Sequence, residues 1–419
     1  MEKTGSGVKV SSHNIKNIAE LRIKISQSQK ENVTDLLNII LGGAVSLRAS
    51  DLHIEPGKKT AKIRMRLDGL LQDVVEINNE LYKTLLSRIK LMSKVKLNIA
   101  NRPQDGRFSV SFASGKEETL IEVRSSTLPA EQGESIVLRI LNPQSLVELE
   151  ALGPRKDLLD LFKKELKKPN GMIIVTGPTG SGKTTTLYAF LKKITQPEIK
   201  IITIEDPIEY HLDGISQTQV NKNYSFASGL KSIMRQDPDV ILVGEIRDTE
   251  TVNTALQAAL TGHLVLTTLH TNDASGTVSR LISLGAERAN IGPAVNLAVA
   301  QRLVRTVCQK CSKLRKPSIE ELQKIKKELK KVPSGLKIRE AKGCKECNQT
   351  GYQGRIGLFE AFLVDDEMER FIATSPSIAD LRDKAEKGGM ISMRQDGFMK
   401  VVEGSTTIEE VERETGETK

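Results

Sequence analysis

Residues 177–184 read Gly177-Pro178-Thr179-Gly180-Ser181-Gly182-Lys183-Thr184, a complete G-x-x-x-x-G-K-[ST] phosphate loop. No other stretch limits the fold of this chain as tightly. The apolar, β-branched run Gly171 to Thr176 before it reads as a buried strand, and Thr184 to Lys193, free of Gly and Pro, reads as a helix after it. Strand, loop and helix in that order turn backbone N–H groups inward around a β-phosphate, and the helix N-terminus adds a favourable dipole. Lys183 is expected to reach the β- and γ-phosphates and the Thr184 hydroxyl to hold Mg²⁺, with Thr185 in the same binding segment. A glycine-rich turn that matched by chance would lack this context. The chain is expected to bind a nucleoside triphosphate.

A chain of 419 residues has room for two or three domains with buried cores, and 38% hydrophobic with 27% charged residues is a globular balance. The longest apolar run, Leu36 to Leu47, is broken by Asn38 and Ser46 and is too short to cross a bilayer. Met1 to Ser6 carry no signal-peptide pattern. The chain is therefore expected to be cytosolic, or held at a membrane by partners. A net charge of +9 suits an acidic protein, anionic lipid or nucleic acid without choosing among them. With no Trp and 3% aromatics, extended platforms for stacking bases are not expected.

Three compositional regimes follow one another. Between Asn32 and Asn142 a helix (Val33 to Leu47) precedes strands at Asp51 to Glu55 and Lys62 to Leu67, a turn at Asp68-Gly69 and a further strand. A helix near Leu81 to Val95 then leads to strands at Leu120 to Arg124 and Ser135 to Ile140. From Pro154 onward apolar strands alternate with helices, which implies a parallel sheet. Past Gln301 come two cysteine pairs around a Lys-rich helix, then a polar helical tail. The expected division is a polar extension (1–31), an N-terminal α/β domain (32–145), a linker (146–153), a nucleotide-binding core (154–300), a tetracysteine subdomain (301–360) and a helical C-terminal subdomain (361–419).

Two acidic strand ends are candidates for the metal and water side of the site. Asp239 to Glu245 is an apolar strand ending in an acid, and Ile201 to Glu209 runs into Glu205, Asp206 and Glu209. Solvated acids at a surface turn are the competing reading. In Thr261 to Asn272, His263 and His270 bracket a strand, either as histidines satisfied by backbone or as sensors of a γ-phosphate. All four cysteines fall in two C-x-x-C pairs, Cys308/Cys311 and Cys344/Cys347, the usual arrangement of a closed tetrahedral zinc site. Between them Ser318 to Lys331 reads as a basic helix with Ile319, Leu322, Ile325 and Leu329 on one face, solvated or membrane-facing.

As a set, Ala49 to Pro56, Gly177 to Thr184, Ile204 to Glu209, Ile241 to Asp248, Gly262 to Asn272 and the four cysteines resemble the secretion-ATPase family that drives type II secretion and type IV pilus assembly. The resemblance covers Asn32 to the C-terminus. It implies a RecA-like ATPase domain preceded by a smaller, mobile PAS-like α/β domain, a zinc-bound Cys₄ subdomain and a helical tail. It also implies ATP, Mg²⁺ and Zn²⁺ as ligands, a homo-hexameric ring, and an inner-membrane platform protein as partner. The implied location is the cytoplasmic face of the inner membrane, with no direct nucleic-acid partner. By resemblance Glu209 acts on the attacking water, Glu245 is the Walker B acid near Mg²⁺, and His263 and His270 form the histidine box. Arg124 and Arg139 match N-terminal-domain arginines that reach the γ-phosphate, and Arg235 and Arg247 match further basic residues near the site. Long members carry an additional N-terminal docking domain that the short segment 1–31 does not match. The tetracysteine site favours assembly or secretion over retraction. The expected function is a Mg²⁺-dependent hexameric motor for pilin or pseudopilin fibre assembly; the alternatives are a pilus-retraction ATPase, a nucleic-acid translocase or helicase, and a silent scaffold.

Overall fold

The computed structural model describes residues 8–11, 15–28, 32–114 and 117–416. Two compact units organise them: residues 1–145 with 308–312 and 341–353, and residues 146–307 with 313–340 and 354–419.

The first unit is a seven-stranded sheet covered by three helices. In chain order its elements are β1 (Val8–Ser11), α1 (Ile18–Ser28), α2 (Val33–Ser46), β2 (Asp51–Pro56), β3 (Thr60–Leu67), β4 (Leu70–Asn78), α3 (Asn79–Met92), β5 (Gln104–Ser114), β6 (Glu117–Ala130) and β7 (Gly133–Leu141). The strand order is β1-β5-β6-β7-β2-β3-β4, antiparallel except for the parallel β1/β5 pair. Lys62, Arg64 and Arg66 alternate along β3 with buried Ile63, Met65 and Leu67, the period-two pattern of a sheet with one wet face. Helix α2 starts at Asn32, whose side chain accepts from the Thr34 N–H, and it is apolar enough to bury Leu36, Leu37, Ile40 and Leu41 fully.

The expected polar extension is only partly polar in role. Residues 1–7, 12–14 and 29–31 lie outside the described residues, but the rest of it is built into this unit. Ile18, Leu21 and Ile25 of α1 are buried in the same core as α2. The helices approach so closely that a Cβ on Gly43 would sit 2.5 Å from Leu21 Cδ1, so a larger residue there would have to displace the Leu21 side chain. Three apolar residues at helical spacing inside a short polar stretch are a weak signal; burial of each contributes about 1.5–3 kcal/mol once a partner helix exists.

The second unit is a doubly covered sheet. It comprises α4 (Lys156–Glu165), β8 (Gly171–Thr176), α5 (Lys183–Ile194), β9 (Ile201–Glu205), β10 (Ser216–Gln219), α6 (Phe226–Met234), β11 (Val240–Val243), α7 (Thr249–Leu260), β12 (Leu264–Leu269), α8 (Gly276–Ser283), α9 (Arg288–Ala294) and β13 (Val295–Val307). There follow β14 (Lys313–Arg315), α10 (Ile319–Glu328), β15 (Ile338–Glu340), β16 (Tyr352–Leu363) and helices α11 (Asp366–Ala373), α12 (Ile378–Lys387), α13 (Met393–Val402) and α14 (Ile408–Thr415). The sheet order is β10-β9-β11-β12-β8-β13-β16, with parallel pairing from β10 through β13. Met172 and Ile174 of β8 face one apolar cluster while Ile173 and Val175 face another, so both sides of the sheet are buried. That is why these strands read as unbroken apolar runs.

Two further expectations meet the structure here. The segment expected as a linker carries a short 3₁₀ turn at Leu149–Leu152, a second such turn precedes it at Pro143–Ser145, and Leu149 is fully buried. Helix α10, closed by a Ser318/Glu321 capping box, does not keep its apolar face free: Ile325 and Leu329 pack with Phe398, Val401, Ile408 and Val411 of α13 and α14. Among the described residues no helix is long and apolar enough to cross a membrane.

Candidate active site

The phosphate loop leaves β8 at the carboxyl edge of the parallel sheet, the edge at which open α/β sheets bind ligands. Gly177 and Gly182 take positive φ, +149° and +90°. A Cβ at Gly177 would lie 2.5 Å from the Gln301 carbonyl oxygen, and one at Gly182 would lie 2.8 Å from Gln301 Nε2. Gly177 is therefore required for space as well as for conformation, and Gly182 for its conformation. Gln301, from β13, is 1% exposed and accepts a 2.7 Å hydrogen bond from Thr186 Oγ1, which pins the loop to the first turn of α5. Gly180 at the loop's tip faces open space. Ser181 Oγ is buried with no hydrogen-bond partner, an orphaned polar atom inside the cradle that a phosphate oxygen would satisfy. The residues present fit a nucleotide and its magnesium, with Thr184 partly buried at the start of α5.

Lys183 Nζ donates to the carbonyls of Gly177 at 2.8 Å and Pro178 at 3.2 Å. Burial pushes its pKa down and Arg302 adds to that, while Glu245 works against both. Glu245, directly after β11, is ion-paired with the Arg247 guanidinium, and its other oxygen lies 3.7 Å from His270 Nε2. Burial also lowers the pKa of His270, with the charges of Lys183 and Arg247 acting in the same sense and Glu245 opposing. Lys183, Glu245, Arg247 and His270 thus form one electrostatic neighbourhood. Hydroxyls hold the strand ends together: Thr268 Oγ1 donates to the Gly244 carbonyl at 2.7 Å, and Thr176 Oγ1 meets Thr271 Oγ1 at 2.8 Å.

The acids after β9 divide by role. Glu205 is buried, bonded by Thr203 Oγ1 at 2.6 Å, by Gln217 Nε2 at 3.3 Å and by the Tyr188 hydroxyl. Burial beside that carboxylate drives the Tyr188 pKa upward. Glu205 therefore organises the framework, and partly buried Glu209 follows β9 at the carboxyl edge, the edge from which the loop also leaves.

Two expected site residues are not brought to that edge. His263 precedes β12, at the amino edge, where its Nδ1 meets the Ala258 carbonyl at 3.0 Å behind α7. The six residues of β12 separate it from His270, about 20 Å of strand. His263 is the histidine satisfied by backbone, and of the two only His270 lies beside Glu245. Arg235 caps the C-terminal end of α6 ahead of β11, bonded to Ser232 Oγ at 3.3 Å, at the same amino edge as His263. Gln301 and Arg302 are the residues the sequence did not suggest; β13 carries them beside the loop because Ala300 pairs with Thr176.

In the first unit Arg139 (56% exposed) directs Nε to Asp51 Oδ1 at 3.1 Å, and Arg66 Nε approaches the other oxygen of the same carboxylate at 3.4 Å. Arg124 lies 3.6 Å from Glu122. The four cysteines also belong to this unit, so the segment 301–360 is divided: its cysteine loops join the first unit and its β14/β15 ribbon and α10 the second. The sulfurs of Cys308/Cys344, Cys311/Cys347 and Cys344/Cys347 lie 3.9, 3.8 and 3.7 Å apart. A tetrahedral Zn–S₄ centre with bonds of about 2.3 Å requires about 3.8 Å between sulfurs. Backbone N–H groups of Gly343, Cys344 and Gly351 donate to the sulfurs. Although burial opposes it, those of Cys344 and Gly351 hold the Cys347 thiol below its ordinary pKa, towards the thiolate a metal needs.

The family model for type II/IV secretion system proteins matches residues 26–413. The type II secretion system ATPase E of Vibrio cholerae is 44% identical over 388 residues, 92% of this chain and 76% of that protein. The type IV pilus assembly ATPase PilB of Myxococcus xanthus is 39% identical over 411 residues, 97% of this chain and 71% of that protein. Among solved structures, the pilus retraction motor PilT with bound ADP superposes with a TM-score of 0.60 at 27% identity, covering 90% of this chain and 96% of that one.

Proposed function

The chain belongs to the type II/IV secretion system protein family, and from that premise we propose that it is a Mg²⁺-dependent ATPase motor powering fibre assembly in a secretion or pilus machine. One observation carries the reading: a phosphate loop with an orphaned buried Ser181 hydroxyl, facing a Lys183–Glu245–His270 cluster at the carboxyl edge of a parallel sheet. Lys183 would neutralise the β- and γ-phosphates, and Thr184 would hold the magnesium, which would supply further positive charge to the phosphates. Glu245 fixes the metal side, Glu209 orients the attacking water, and Arg247 and His270 keep Glu245 in register. Arg124 and Arg139 supply cations to the transferring phosphoryl group. The active form is a homo-hexamer at the cytoplasmic face of the inner membrane, acting on a platform protein.

The functional reading is tested by steady-state ATP hydrolysis against protein concentration, with and without single-stranded DNA. Specific activity that rises with concentration and ignores DNA is the expected result. Strong stimulation by DNA would replace the motor reading with a translocase.

The four-cysteine cluster is a structural zinc site that closes the loops 308–312 and 341–353, and its presence supports assembly or secretion over retraction. Replacing Cys308 and Cys344 by Ser is expected to take zinc from about one ion per chain to none by elemental analysis. The melting midpoint is expected to fall by about 5–10 °C, roughly 2–3 kcal/mol for a unit of this size. Unchanged metal content would reject the site.

A further inference from the structure

Arg302 follows Gln301 on β13 and runs alongside Gly177 and Pro178, because Ala300 lies opposite Thr176 in the parallel register. Its Nη1 donates to the Gln301 carbonyl at 3.2 Å and its Nη2 to the Asn272 carbonyl at 3.1 Å. Both acceptors are neutral. Among the described residues no carboxylate forms an ion pair with Arg302. Glu414, Glu360 and Asp273 act on it only as weaker, more distant charges, and burial disfavours its charged form. A half-buried guanidinium without an anionic partner is costly, and proteins keep one where an anion arrives.

The position says which anion. Arg302 bonds the segment that follows His270, on the β12 side of the loop, and its charge is felt at Lys183. Two cations held close in a partly dry site repel each other until an anion comes between them. Lys183 of a phosphate loop serves the β- and γ-phosphates, so the anion that answers both is the terminal phosphate. We propose that Arg302 contacts the γ-phosphate of the bound nucleotide from within the same chain, and thereby sets the preference for a triphosphate over a diphosphate. The proposal rests on the nucleotide-binding reading above and adds a residue to that site.

The test is binding of fluorescent N-methylanthraniloyl ATP and ADP to the full chain, with Arg302→Gln and Arg302→Lys beside the wild type and melting curves for each. A lost charge-assisted phosphate contact is expected to weaken ATP binding about tenfold in Arg302→Gln while ADP binding changes less than about twofold. Arg302→Lys, which keeps the charge but not the two-carbonyl bridge, is expected to retain most of the preference for ATP. Equal weakening of both nucleotides by Gln, or weakening of neither, assigns Arg302 to the framework and overturns the proposal. If Arg302→Gln does not fold, Arg302→Met, which removes the charge but keeps the aliphatic stem, decides by the same readout: selective weakening of ATP supports the contact, and equal weakening of both nucleotides or of neither overturns it. A wild type that binds neither nucleotide would overturn the nucleotide reading itself, a separate result.

Discussion

Lys183→Ala is expected to lower ATP turnover by about 10²- to 10³-fold, the scale for removing one preorganised charge from a developing oxyanion. The ammonium sits over its own loop, held by the carbonyls of Gly177 and Pro178, so it needs little rearrangement to meet a phosphate. Loss of the side chain leaves the glycine cradle intact, because Gln301 and Thr186 pin it from β13 and α5. The fold should therefore survive, and an unaltered melting curve beside lost turnover is the pair of results to look for. A variant that hydrolyses ATP at the wild-type rate would remove the phosphate loop from the mechanism.

Arg139→Ala is expected to suppress hydrolysis by about 10³- to 10⁵-fold while nucleotide binding stays within a few-fold of wild type, as for an arginine finger. Arg139 is the more exposed of the two guanidiniums that share Asp51, and Arg66 remains on that carboxylate when it is removed. The structural cost should accordingly be small. Equal loss of binding and turnover would show that Arg139 supports the first unit rather than the reaction. Arg139→Lys sharpens the comparison, since a lysine restores charge but not the planar fork.

Much of this protein could be read from local patterns, and the failures share a cause. The β8–loop–α5 unit was legible because its strand, glycines and helix are contiguous. The cysteine pairs were legible because the short spacing within each pair brings two thiolates together. His263 and His270 looked equivalent because both flank one strand; only the parallel direction of β12 shows that they lie at opposite edges of the sheet. Arg235 failed for the same reason, sitting before β11 where Arg247 sits after it. Gln301 and Arg302 were hidden because their proximity to the loop is a pairing of β13 with β8 across more than a hundred residues. Ile18, Leu21 and Ile25 became part of a core only once α2 and the sheet were packed with them. Periodicity reports a face; register and direction decide what the face meets.

The cysteine loops also set an order of events during synthesis. The N–H of Ile18, at the start of α1, is satisfied by Asn348 Oδ1 at 2.8 Å, a residue 330 positions later. A ribosome adding 5–20 residues per second needs about 15–65 s to cover that distance. The parallel strands β8–β13 are all in the chain before those loops emerge, and only β16 of their sheet follows, whereas the unit begun first must wait for residue 353. The N-terminal unit therefore cannot close until residue 353, and its earliest helix spends most of translation without its final partner.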